Sequence, residues 1–179
     1  AHNLSQATGC DGSFTLTAAG HTPTDNFYGI FTASYTDTSP TAGVPGLTTK
    51  TQIVLQPKHR QAEFYNTSSG VTTSAASGAE GNVISSIDNG DWTEYDPYNL
   101  QGVSQIAMRV ASSASGGTVE VHADSPTGPL VSTVTVPNTG GSFTTVSAPV
   151  TDPGGTHSLY FVFHGQGSNL FTFDNFTVS

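Results

Sequence analysis

Thr118-Val-Glu-Val-His-Ala123, the turn Ser125-Pro-Thr-Gly128 and Leu130-Val-Ser-Thr-Val-Thr-Val136 together decide the fold. In the first run Val119, Val121 and Ala123 alternate with Thr118, Glu120 and His122, so one face is apolar and the other polar. Successive side chains of a strand point to opposite sides of its sheet, and this period of two marks a half-buried strand. The pattern continues downstream. Asn138-Thr-Gly-Gly141 leads into a run from Phe143 to Val150, and Asp152-Pro-Gly-Gly155 breaks the chain again. Ser158 to His164 and Leu170 to Val178, rich in Phe, Tyr, Val and Leu, are the strongest strands. Short strands at this spacing predict an all-β chain, with a jelly-roll β-sandwich over residues 59–179.

Composition points the same way. Of 179 residues only 9% are charged, against about 25% in ordinary domains. Lys, Glu, Arg and Gln fill the solvent faces of helices and are scarce, whereas Thr, Val, Phe and Tyr suit a pleated, half-buried surface. Net charge is −9, with Lys50, Lys58, Arg60 and Arg109 the only basic residues besides histidine. Four scattered cations cannot neutralise a phosphate backbone, which excludes nucleic acid as a partner. No run of about 18 apolar residues exists to span a membrane. The opening Ala-His suits either a signal peptide already removed or a chain cut at that point, and the expected location is extracellular. Cys10 is the single cysteine. It pairs between molecules or stays a buried thiol.

Residues 1–58 form a different region. Ser13 to Thr17, with Phe14 and Leu16, reads as a short strand. Phe27 to Tyr35 and Thr49 to Leu55 read as two more, around a Pro/Gly/Ser/Thr loop from Asp37 to Gly46. Two or three strands do not make an independent core. These N-terminal strands therefore need the sandwich, or another molecule, to pack on.

Five motifs occur in order: Ile87-Asp-Asn-Gly-Asp-Trp92, Arg109-Val-Ala-Ser-Ser-Ala-Ser-Gly-Gly117, Asp124-Ser-Pro-Thr-Gly128, Leu159-Tyr-Phe-Val-Phe163 and Leu170-Phe-Thr-Phe-Asp174. With Gln61-Ala-Glu63 ahead of them, they resemble a family 6 carbohydrate-binding module. The resemblance implies a two-sheet jelly roll with a structural calcium ion (Ca2+), usually attached to a polysaccharide-degrading enzyme. By spacing alone, Gln61 and Glu63 at i and i+2 share one side of a strand. The family's last strand adds a carboxylate, matched by Asp174. Backbone carbonyls or water would complete the six to eight oxygens that calcium takes. The alternative is carboxylates hydrogen-bonded to strand amides.

The sugar site implied by the resemblance grips a pyranose between two aromatic rings, above an Asn. At those positions this chain has Ser86, Ser142 and Thr172, so the usual site is degenerate; Phe143 and Asn169 are the partial substitutes nearby. Some family members also bind sugar on a sheet face, through the Trp that Trp92 matches. Glu94 and Tyr98 lie close to it in sequence. The competing role for Trp92 is to cover the core.

No catalytic pattern is present. Asp88, Asp91, Asp96, Asp124 and Asp152 sit in turns, where side-chain bonds to backbone are their ordinary role. Six scattered histidines lack metal-ligand spacing, and no Gly-x-Ser-x-Gly elbow occurs. The chain is therefore expected not to be an enzyme. Two functions stay open: binding of a polysaccharide or cell-surface glycan at an atypical site, or a structural subunit of an extracellular filament or surface polymer. The second would assemble by strand addition through the N-terminal strands. Asn3, Asn66 and Asn175 stand in glycosylation sequons.

Overall fold

Alternation of apolar and polar residues folds the chain into antiparallel sheets whose apolar sides meet. The computed structural model describes residues 8–9, 20–38, 43–114 and 116–179. Their strands are β1 (Gly29–Thr36), β2 (Thr48–Leu55), β3 (His59–Gln61), β4 (Thr67–Ser69), β5 (Thr72–Ala75) and β6 (Asn82–Ser85). There follow β7 (Trp92–Asn99), β8 (Gln105–Ala111), β9 (Gly117–Ala123), β10 (Leu130–Val136), β11 (Thr144–Pro149), β12 (Thr156–His164) and β13 (Thr172–Val178). No helix occurs among the described residues, and so none is long and apolar enough to cross a membrane.

One sheet of the sandwich runs β10-β9-β12-β7-β4, and the other runs β11-β8-β13-β6-β5 with β3 also paired to β13. Their inner faces meet in an aromatic core. Tyr95, Phe161 and Phe176 pack with ring centroids 4.8–5.0 Å apart, and Phe163 and Phe173 lie beside them. Several of these pairs meet edge to face, which suits the ring quadrupoles. Burial pushes the Tyr95 and Tyr98 phenols up, so both stay neutral donors. Tyr95 Oη donates to Ala62 O at 2.7 Å.

β1 and β2 form a separate hairpin in continuous register, from Gly29 opposite Leu55 to Thr36 opposite Thr48. Hydrogen bonds from Gln56 Nε2 to Asp96 O (3.3 Å) and from Gln61 Nε2 to Pro23 O (3.4 Å) tie this region to the sandwich. The hairpin and its flanks leave Tyr28, Ile30, Tyr35, Val44, Leu47 and Ile53 exposed; elsewhere among the described residues Leu130 is the one large apolar side chain that is exposed. The expected strand around Phe14 and Leu16 lies outside the described residues, as do Asn3 and Cys10.

Candidate metal and ligand sites

Gln61, Glu63 and Asp174 converge, but not by the strand geometry their spacing implied. β3 ends at Gln61 and Glu63 stands in the following turn, closed by Phe64 N donating to Gln61 O at 3.3 Å. The turn folds Glu63 back over Gly81. A Cβ on Gly81 would lie 2.6 Å from Glu63 Oε1 and 3.3 Å from Gln61 Oε1, so the absence of a side chain there makes the room. Asp174 reaches the same place because it is the extra residue of a bulge. Phe173 pairs with Val110 and Asn175 with Arg109, leaving Asp174 between them unpaired, and bulges re-aim side chains in this way.

Glu80 N donates to both Asp174 oxygens, at 3.2 and 3.3 Å, and Arg109 Nη1 forms an ion pair with Asp174 Oδ2. Gln61 Oε1 and Glu63 Oε2 are buried without any hydrogen bond among the described residues. Burial, aided by the charge on Asp174, raises the Glu63 carboxyl above its ordinary range. Two unpartnered buried oxygens beside a carboxylate are costly by themselves. They are the donor chemistry that a hard cation takes, so the residues present fit calcium. No group of three or more His, Cys, Asp or Glu suited to a metal occurs among the described residues. An ion here would therefore draw on the Gln61 amide and on backbone oxygens.

The residues expected at the loop site are brought together by topology. Ser86 follows β6, Thr172 opens β13, and Phe143 with Ser142 precedes β11. Because β11, β8, β13 and β6 are successive antiparallel neighbours, these residues share one end of the sheet. Ser86 and Ser142 are exposed and Thr172 is half-buried. The Arg109 guanidinium sits 4.6 Å over the Phe143 ring centroid, so one face of that ring is already occupied. Asn169 is exposed, and its backbone N donates to Asp88 Oδ1 at 2.8 Å.

On β7, Thr93 and Tyr95 point inward, which places Trp92, Glu94 and Asp96 on the outer face of the five-stranded sheet. There Trp92 and Tyr160 stand 5.4 Å apart with planes at 57°. Tyr160 Oη donates to Glu94 Oε1 at 3.0 Å, and Thr67 Oγ1 to Glu94 Oε2 at 2.6 Å. Glu120 lies on the same face, its Oε2 3.2 Å from His122 Nε2. Trp92 is half-buried on this outer side and does not close the core.

Two expectations need correcting. Tyr98 is 2% exposed and belongs to the core. Opposite His157 and Leu159, β7 carries one extra residue between Tyr95 and Tyr98, and this bulge turns Tyr98 inward. Asn175 is 5% exposed, with Nδ2 donating to Asp174 Oδ2 at 3.2 Å, so its sequon is closed to a glycan. Asn66 is exposed, although its Oδ1 accepts from Asp96 N at 2.9 Å.

Sequence reasoning missed Tyr160 and Arg109. Parity alone puts Tyr160 opposite in face to Leu159 and Phe161, but its partners come from β7, which only the strand order reveals. Three of the acids read as turn residues bond backbone as expected: Asp88 accepts from Asn169 N, Asp91 from Asp88 N, and Asp152 from Gly102 N and Gly154 N. Asp96 instead lies within β7 and accepts from Ser158 Oγ, and Asp124 pairs with the His157 side chain.

A two-sheet sandwich with an aromatic outer face and a cluster of loop residues at one sheet end defines a β-sandwich binding module. The chain belongs to carbohydrate binding module family 6, whose model matches residues 61–179. Proteins of this family bind polysaccharides. Among curated relatives, an arabinoxylan arabinofuranohydrolase of Paenibacillus polymyxa is 36% identical over 64% of this chain, and one of Bacillus subtilis is 36% identical over 67%. The aligned parts are 19% and 25% of those enzymes, so the chain spans only a fraction of their length. Among solved structures, a family 6 module from Clostridium cellulolyticum in complex with xylose is 35% identical, with a TM-score of 0.67. It covers 70% of this chain and 98% of its own. A β-1,3-glucan binding module from Bacillus halodurans is also 35% identical, with a TM-score of 0.65 over 69% of this chain and 96% of its own.

Proposed function

We propose that the chain is an extracellular, non-catalytic module that binds a polysaccharide on the outer face of its five-stranded sheet, with calcium as a structural ion. The observation that carries this reading is the grouping of Trp92, Tyr160 and Glu94. Pyranose rings have apolar C–H faces that pack on aromatic surfaces, while a few polar groups set orientation. Glu94 is held by Tyr160 and Thr67, so it is pre-positioned to accept sugar hydroxyls. Ser86, Ser142 and Thr172 offer no ring at the loop site, which makes the sheet face the stronger candidate. The acids engaged in turns support a binding role over a catalytic one. Calcium would be held by Gln61, Glu63 and Asp174, where it would supply the positive charge that buried Glu63 lacks.

Titration calorimetry with xylo-oligosaccharides, β-1,3-gluco-oligosaccharides and cello-oligosaccharides tests the reading. Binding that Trp92→Ala removes supports it, whereas binding lost only on changing Ser86 or Thr172 sinks it in favour of the loop site.

A second reading, assembly into an extracellular filament or surface polymer, is favoured by the exposed apolar side chains of the hairpin. Tyr28, Ile30, Tyr35 and Leu47 are each more than half exposed. A two-stranded ribbon also keeps unpaired strand edges.

A further inference from the structure

We infer that a second carbohydrate-contacting cleft, built jointly by the N-terminal hairpin and the sandwich, extends the Trp92 face and accepts further units of a neutral polysaccharide chain. This inference rests on the reading of the Trp92 face as a glycan surface.

The cleft lies where the hairpin meets the edge of the five-stranded sheet, and its volume is about 470 Å³, in the range of small-ligand sites. Its walls come from both parts of the chain: Asn26, Tyr28 and Ile30 from the hairpin side, and Tyr65, Asn66 and Asp96 from the sandwich. The family model begins only at residue 61, so half of this cleft lies outside the region that defines the family.

Its chemistry suits sugar. Tyr28 is 58% exposed and presents a ring, while Tyr65 is partly buried against the core. The polar groups are fixed in place yet keep unused capacity. Asn66 Oδ1 accepts from Asp96 N, and Asp96 Oδ1 accepts from Ser158 Oγ at 2.7 Å. Asn66 Nδ2 and Asp96 Oδ2 take no hydrogen bond among the described residues, so one donor and one acceptor are on offer. The wall behind them is tied down. Buried Arg60 donates to Gln56 Oε1 (2.7 Å) and to Phe64 O, and Gln56 Nε2 donates to Asp96 O. Such pre-ordering reduces the entropy lost on binding.

The two surfaces are continuous. Trp92, Glu94 and Asp96 are alternate residues of one strand face, so the cleft begins about 13 Å from Trp92 at about 3.3 Å per residue. A chain laid along β7 would meet the Trp92–Tyr160 pair first and the Tyr28–Tyr65 cleft next. Charge selects the class of chain. Glu94, Asp96 and Glu120 line the path, while Arg60 is committed to Gln56 and Phe64. Anionic glycans would be repelled and neutral ones accepted.

The test is calorimetry of bacterially produced full chain, which leaves Asn66 unmodified, with short and long neutral xylo- and gluco-oligosaccharides. Tyr28→Ala should weaken the longest ligands by about tenfold, or about 1.4 kcal/mol, and leave the shortest unchanged; Tyr28→Phe should keep full affinity. Trp92→Ala should weaken all lengths. If Tyr28→Ala changes no length while Trp92→Ala abolishes binding, the cleft is refuted and the sheet-face reading survives. If no length binds the wild-type chain, both fail. Tighter binding of polygalacturonate than of neutral chains would overturn the assignment of class.

Discussion

Arg109 pairs with Asp174, and with that contact it places a fixed cation at the edge of the Gln61–Glu63 cluster. The guanidinium answers the charge of Asp174 but forms no hydrogen bond to Glu63 among the described residues; Glu63 Oε2 stays buried without one. A divalent ion should therefore bind at the Glu63 side and stabilise the folded chain. A ligand that binds only the folded state adds about 2.7 kcal/mol at about a hundredfold excess over Kd. For a chain of this size, that is roughly 5–10 °C in melting temperature. Differential scanning calorimetry with calcium and with a chelator should show this difference. Glu63→Ala and Gly81→Ala should both remove it, the second because a methyl group displaces the Glu63 carboxylate. Metal ligands must be deprotonated, so the effect should also fade as pH falls through the raised pKa of Glu63. Equal melting with and without chelator at neutral pH would exclude the site.

His157 provides a pH dependence of opposite character. Its Nδ1 lies 2.9 Å from Asp124 Oδ2 and its Nε2 lies 2.7 Å from Gly154 O. Both partners accept, so both ring nitrogens must carry protons. The hydrogen bond with Asp124 raises the His157 pKa above 6.5. A raised folded-state pKa gives stability that is fully present below the unfolded value and is lost as pH rises through the folded one. His157→Gln should therefore cost more stability just below pH 6.5 than in alkaline buffer. Urea unfolding midpoints of both proteins across that range provide the check; a constant difference would show that the charge on His157 contributes nothing.

The sheets were legible in the sequence because alternation is a local signal. Leu130 to Val136 is β10 as read, and β9 differs from its expected run only by Gly117. What escaped is what depends on bulges and strand order. One extra residue in β7 moved Tyr98 from the outer face to the core, and another in β13 aimed Asp174 at Arg109. No pattern of residue types announces where a bulge falls. The pairing of Trp92 with Tyr160 likewise requires β12 to lie beside β7, a neighbour distant in sequence. Convergence of Gln61 and Glu63 was foreseen, but a turn over Gly81 produces it, not a shared strand face.

Glycan affinity should depend on the aromatic pair more than on the loop. Trp92→Ala and Tyr160→Ala each remove one ring of the outer face, and Tyr160→Phe removes only the hydrogen bond to Glu94. A ring contact is worth about 0.5–1.5 kcal/mol beyond its buried area, so either alanine change should weaken binding by roughly tenfold. Tyr160→Phe should cost less than Tyr160→Ala. Affinity gel electrophoresis on xylan and β-glucan measures the series. If Ser142→Ala or Thr172→Ala weakens binding as much as Trp92→Ala, the loop site is the one in use.

Self-association should require the hairpin. Phe31 and Ile53 face each other across β1 and β2, and Tyr35 pairs with Thr49. Tyr35 is 66% exposed and Leu47 78% exposed. Burying such side chains against a neighbour gains about 25 cal/mol per Å² of apolar area. Backbone bonds along an open strand edge would set the register. A head-to-tail contact of this kind does not close on itself, so it would grow as a filament. The same segment also forms one wall of the Tyr28 cleft, so its removal should do two things: abolish any large assembly and weaken binding of long glycans. Light scattering at matched concentration should compare the full chain with one lacking residues 1–50. Disappearance of large species on truncation would support assembly through the hairpin. A monodisperse monomer from the full chain, across the concentrations at which scattering is measured, would rule it out and leave the apolar side chains of the hairpin to the glycan cleft alone.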